Sequence, residues 1–112
     1  MEIRVKDIIK SEIALSPDSG HLLYRQIRDS IKSTDITLVD FSNVKVISTA
    51  FLNSAIGRLY NDFSSEQLNK FLKVQNLDNE DLTLMKKVIR RAKEYFSDKN
   101  DFEKKMGDRY GE

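Results

Sequence analysis

The stretch Val39-Asp40-Phe41-Ser42-Asn43-Val44-Lys45-Val46-Ile47-Ser48-Thr49-Ala50-Phe51-Leu52 decides how the rest of the chain is read. An apolar run, Ile36-Thr37-Leu38-Val39, ends in an aspartate, and a polar loop follows. A Ser-Thr pair then opens a segment whose apolar residues, Phe51, Leu52, Ala55, Ile56, Leu59 and Tyr60, recur at helical spacing. A strand, loop and helix start in this order place hydroxyls and a carboxylate at one end of a sheet. That is where α/β domains put their working surface. Residues 36–39 are too apolar to be open to water on both faces, so residues 36–40 are expected to form an interior strand with Leu38 in the core.

Working outward toward the amino terminus, Ser16-Pro17-Asp18 is a helix start. It supplies a hydroxyl cap, then a proline where no N–H is needed, then an acid in the first turn. Leu23, Ile27 and Ile31 follow at intervals of four, as a one-sided helix requires. Before it, Ile3, Val5, Ile8, Ile9, Ile13 and Leu15 predict one or two short strands, joined as a hairpin near Lys6-Asp7 or Lys10-Ser11. Toward the carboxyl terminus, Ser64-Ser65-Glu66-Gln67 predicts a capped single turn. Phe71, Leu72 and Val74 predict another strand. Asp78-Asn79-Glu80-Asp81 opens a third amphipathic helix through Leu82, Met85, Val88, Ile89, Ala92 and Phe96.

The alternation predicts a single α/β domain over residues 1–96, a small sheet of about four strands covered by helices. Residues 97–112 are expected to form a charged, mobile tail, with only Phe102, Met106 and Tyr110 to bury.

Composition narrows the function. A chain of 112 residues holds one modest core. Its net charge of +1 gives no electrostatic pull toward nucleic acid or acidic lipid. The basic group Lys86, Lys87, Arg90, Arg91 and Lys93 closes a helix that acids open, as the helix dipole favours. There is no cysteine, which removes disulfides, thiolate metal sites and a Cys nucleophile. The lone His21 has no second histidine for a metal site and reads as a solvent residue. No Gly-rich phosphate loop, Ser-His-Asp set or catalytic carboxylate pair stands out, so the chain reads as a non-enzyme with no cofactor. The amino terminus lacks a signal-peptide core and no run approaches a membrane span, so a cytoplasmic protein with no membrane contact is expected.

The passage from Asp40 to Arg58 resembles the STAS domain shared by bacterial anti-sigma factor antagonists and sulfate-transporter tails. It is more similar to a bacterial group described as STAS-like, in which a serine-containing helix start is followed by phenylalanine, as in Ile47-Ser48-Thr49-Ala50-Phe51. The likeness covers roughly residues 22–96 in pattern, and its specific residues lie between Val39 and Leu59. In the antagonists, a kinase that is also the anti-sigma factor phosphorylates the first serine of an Asp-Ser-Ser-Gly motif. Aligned through Asp40, Ser42-Asn43-Val44 and Gly57-Arg58, that serine falls on Thr49, while Ser48, Ala50 and Phe51 stand at the other three positions.

The resemblance implies a regulatory protein–protein interaction module, with a histidine-kinase-like ATPase as partner and phosphorylation at Thr49 or its neighbour Ser48. A phosphate there would be favoured by the helix start and would repel an acidic partner surface. Either hydroxyl also serves as a helix N-cap, which needs no switch at all. Asp40, Ser42, Asn43, Asn76 and Asp78 form the candidate partner or ligand edge. Each has a structural reading too, as a turn or cap residue. The alternative function is a small-ligand, nucleotide-sensing domain using the edge between residues 40 and 49.

Overall fold

The computed structural model describes residues 1–33 and 35–109, with side chains described up to Phe96. The elements run β1 (Glu2–Arg4), α1 (Val5–Ile9), β2 (Ile13–Ala14), α2 (Pro17–Lys32), β3 (Thr37–Asp40), β4 (Val46–Ile47), α3 (Thr49–Leu52), a π-helical segment (Asn53–Gly57), α4 (Leu59–Asp62), α5 (Ser65–Phe71), β5 (Leu72–Gln75) and α6 (Asn79–Arg109). The expectations for residues 97–112, including the Phe102, Met106 and Tyr110 stripe, fall outside the residues whose side chains are described.

The strands form two parallel sheets, one ordered β1-β3-β5 and one pairing β2 with β4. The predicted interior strand is therefore interior, with β1 and β5 on its two sides. The amino-terminal hairpin is not formed. Val5, Ile8 and Ile9 are spaced i, i+3, i+4, and the chain follows that helical period rather than turning between strands. Lys10, in the left-handed region at φ 56°, closes α1, and the chain then enters the second sheet instead of returning to the first.

Both crossovers of the larger sheet step in the same direction, so right-handed connections put their helices on one face. Burial agrees with that. Ile3, Thr37 and Val39 are buried on the helix side, and Val74 is half-buried there. The opposite side carries Glu2, Arg4 and Lys73, all exposed, with Leu38 half-buried between them. Leu38 is thus not a core residue, because the period-2 pleat aims it away from the helices. Val39 and Thr37 fill the interior in its place, and the Thr37 hydroxyl meets Ser30 Oγ at 2.5 Å.

The core gathers Leu23, Ile27 and Ile31 of α2, Phe51, Leu52, Ala55, Ile56 and Leu59, and Met85 and Val88 of α6. Ser16 caps α2 as expected, accepting from Ser19 N at 3.0 Å. The capped turn after residue 63 is longer than a single turn. Ser64 and Gln67 form a reciprocal capping box, and α5 runs on through Phe71, so β5 starts at Leu72.

The helix after Thr49 contains a π turn, in which Arg58 N bonds to Asn53 O at 3.2 Å. It lies against the start of α2, where Ser54 Oγ donates to the Pro17 carbonyl at 2.7 Å. Gly20 makes this approach possible. A Cβ there would sit 2.6 Å from the Phe51 carbonyl oxygen and 2.8 Å from Ser54 Cβ.

Candidate functional site

Asp40 ends the interior strand, and its carboxylate organises the loops after β3 and β5. Its Oδ1 accepts from Ser42 N at 2.9 Å, Ser42 Oγ at 2.7 Å and Asn76 Nδ2 at 2.8 Å. Asn76 Nδ2 also lies 2.9 Å from Ser42 Oγ, which closes a triangle of three side chains. The bond from Asn76, then those from Ser42, hold the Asp40 carboxyl below its ordinary value, and the Arg4 charge adds to this.

The backbone supports the same arrangement. Val44 N donates to Phe41 O at 3.1 Å, closing the turn through Ser42 and Asn43. Asn43 and Asn76 both adopt φ 64°, a left-handed conformation that asparagine enters more readily than most residues. The register of β1 on β3 sets Arg4 beside Asp40. Arg4, Lys6, Asp7, Asp40, Ser42 and Asn43 then line an open cleft of about 400 Å³ at the carboxyl ends of these strands.

Ser48 and Thr49 lie at a different corner. Ser48 caps α3: its Oγ accepts from Phe51 N at 3.0 Å and donates to the Leu15 carbonyl at 2.7 Å. Its backbone N–H bonds to Ala14 O at 3.0 Å, so two hydrogen bonds tie the start of α3 to residues 14 and 15 at the end of β2. Thr49 is half-buried, and its hydroxyl makes no hydrogen bond among the described residues. Beside it, the β2–β4 ribbon leaves Ile13, Leu15 and Val46 each about half exposed, with Ile13 and Val46 paired in register.

Asp78 belongs to neither group. It is exposed, precedes α6, and its Oδ1 accepts from Asp81 N at 2.8 Å, an N-cap contact. The structure thus joins Asp40, Ser42 and Asn76, with Asn43 on the cleft rim. It leaves Ser48 with Thr49 on a second surface and Asp78 as a cap.

Sequence reasoning missed the contribution of Arg4, Lys6 and Asp7, which depends on β1 lying parallel beside β3. It also missed a cluster between α2 and α4. Tyr24 donates its hydroxyl to Asp62 there, and its ring has the Arg58 and Arg28 guanidiniums 4.8 and 5.4 Å from its centre. Burial first, and Asp62 second, raise the Tyr24 pKa. His21 is not a free solvent residue. It stacks on Tyr24 and has Nδ1 3.0 Å from Arg58 Nη1.

Among the described residues, no group of acids and histidines is placed to hold a metal ion, and no helix is long and apolar enough to cross a membrane. A family model for a STAS-like domain of unknown function (DUF4325) matches residues 19–82. No curated protein and no solved structure matches the chain.

Proposed function

From the premise that the chain belongs to the STAS-like domain family of unknown function, we propose that it is a regulatory protein–protein interaction module whose switch is Thr49. One observation carries this reading. The Ser48 hydroxyl is committed to capping and to Leu15, whereas the hydroxyl of Thr49 next to it makes no hydrogen bond among the described residues and borders an exposed apolar ribbon. Ile13, Leu15 and Val46 offer a partner apolar area, and a phosphate on Thr49 would set a dianion at its margin. Desolvating that charge under a docked partner is unfavourable, so phosphorylation releases the complex.

The partner class implied is a histidine-kinase-like ATPase that both binds the module and modifies it. The test is affinity purification of the tagged chain from its native host, with and without phosphatase. The expected result is one phosphate, on Thr49, and a captured ATPase that Thr49→Glu no longer retains. Capture that is unchanged by Thr49→Glu and by phosphatase would leave the switch without support.

The cleft beside Asp40 favours a second reading, as a sensor of a small polar ligand such as a nucleotide. Arg4 and Lys6 supply positive charge there, and Ser42 and Asn43 supply hydrogen-bonding groups. Calorimetric titration with nucleotides separates the two readings, since Thr49→Glu leaves this binding intact and Arg4→Ala removes it.

A further inference from the structure

We propose that the open face of the larger sheet is a homodimer interface, with two copies stacked face to face about a two-fold axis parallel to β3. The face is built in rows. Glu2, Leu38 and Lys73 lie side by side across β1, β3 and β5, and Arg4, Asp40 and Gln75 form the next row. Ile36, two residues before Leu38 along an extended segment, shares its side of the chain and is 59% exposed. The Met1 amino group donates to the Ile36 carbonyl at 2.7 Å, which continues the ladder to that residue. Up to the Leu38 row the centre line is therefore apolar, Ile36 then Leu38, and that row has an acid, Glu2, on one flank and a base, Lys73, on the other.

That distribution selects its occupant. Adjacent strands lie about 4.8 Å apart, so Glu2 and Lys73 stand at equal distances on opposite sides of Leu38. A rotation by 180° about an axis along β3 carries β1 of one copy over β5 of the other. Glu2 of each copy then faces Lys73 of its mate, and Leu38 and Ile36 meet their own equivalents. An axis across the strands would instead set Glu2 over Glu2 and Lys73 over Lys73, so charge rejects it.

Among the described residues, nothing claims the two flanking charges tightly. Glu2 is 4.0 Å from Arg4, with both side chains more than half exposed. Among the described residues, Lys73 Nζ bonds to the Asn69 carbonyl, at 2.8 Å, which leaves donors for a carboxylate. In the next row, Arg4 lies over Gln75 of the mate, and Asp40, on the axis, faces Asp40 of the mate. The bonds from Ser42 and Asn76 to its Oδ1 hold that carboxylate toward its own loops, and the remaining like-charge contact weakens the dimer. Parallel sheets are normally covered on both faces, and stacked sheets pack about 10 Å apart, so a second copy supplies the missing layer. The patch is small beside the roughly 800 Å² per partner of a standard interface, so the dimer is weak and depends on concentration.

The test is sedimentation velocity of the full chain over a concentration series. The wild type is expected to shift toward a dimer as concentration rises. Glu2→Lys and Lys73→Glu should each weaken association by about tenfold or more, because each reversal places like charges face to face twice. The double variant, Glu2→Lys with Lys73→Glu, should dimerise like the wild type. Both positions are exposed, and a melting curve on each variant reports folding independently. If a reversal unfolds the chain, Glu2→Gln and Lys73→Gln give the same comparison with a smaller loss. A wild type that stays monomeric throughout, or a double variant as weak as the singles, overturns the proposal.

Discussion

Ser48 and Thr49 differ by one position and have opposite burdens. Removing the Ser48 hydroxyl leaves Phe51 N without its cap and takes a donor from the Leu15 carbonyl. Ser48→Ala should therefore lower stability by about 1–2 kcal/mol in urea titration. Thr49→Ala, which breaks no hydrogen bond among the described residues, should stay within about 0.5 kcal/mol of the wild type. Equal losses at both positions would mean that Thr49 also holds the fold together. Asp40 gives a prediction in pH. Its folded-state pKa lies below the ordinary carboxylate value because three hydrogen bonds favour the ionised form. The unfolded chain takes up the proton first as pH falls. The stability contributed is thus complete above about pH 4, and it disappears as pH drops through the lowered folded value. Asp40→Ala should cost about 1.5–3 kcal/mol at pH 7, and the gap to the wild type should narrow in titrations near pH 3. A gap of constant size would mean that the ionised carboxylate is not what the network holds. The aspartate and its loop serine were legible in the sequence because they are neighbours. Asn76 was legible only as a strand-end residue, since its partner lies 36 positions away.

At the scale of elements, the contact between α2 and the π-containing helix rests on Gly20. Gly20→Ala gains about 1 kcal/mol of helix propensity but drives a methyl group against a backbone carbonyl that cannot rotate away. The balance should be a net loss of about 1–3 kcal/mol, seen as a lower melting temperature. An unchanged melting temperature would show that the two helices can separate without penalty. The sequence marked α2, β3 and α6 well, because each has a strong apolar period and a side-chain or charge signal at its start. It marked the first fifteen residues poorly. Ile3, Val5, Ile8 and Ile9 satisfy a strand pattern and a one-turn helix pattern at once, and only pairing with β3 resolves the choice. The π turn left no trace either, because Phe51, Leu52, Ala55, Ile56 and Leu59 bury one face with or without the extra residue. An apolar strand suggests cover on both faces, and that pattern alone places Leu38 in the core. Strand order, which a single sequence does not disclose, leaves one of those faces open.

For the molecule as a whole, the family match and the folding unit are not the same segment. The match spans residues 19–82, yet the core draws on both sides of it. Ile3 and Val5 come from β1 and α1, and Met85 and Val88 from α6, each no more than 3% exposed. Burying four such side chains contributes about 1.5–3 kcal/mol apiece, so together they rival the roughly 5–15 kcal/mol by which a domain is stable at all. Losing β1 would also strip β3 of one neighbour and expose its ladder of backbone N–H and C=O groups. A chain cut to residues 19–82 should therefore be unfolded in buffer, with a featureless near-ultraviolet dichroism spectrum and no cooperative melt. A chain of residues 1–96 keeps all the buried residues described here and should melt within a few degrees of the 112-residue chain. Its far-ultraviolet signal should change only by the missing helix of residues 97–109. A cooperative transition in the 19–82 fragment would show that the matched segment holds a sufficient core by itself, and that β1 and α6 are additions to the domain rather than parts of it.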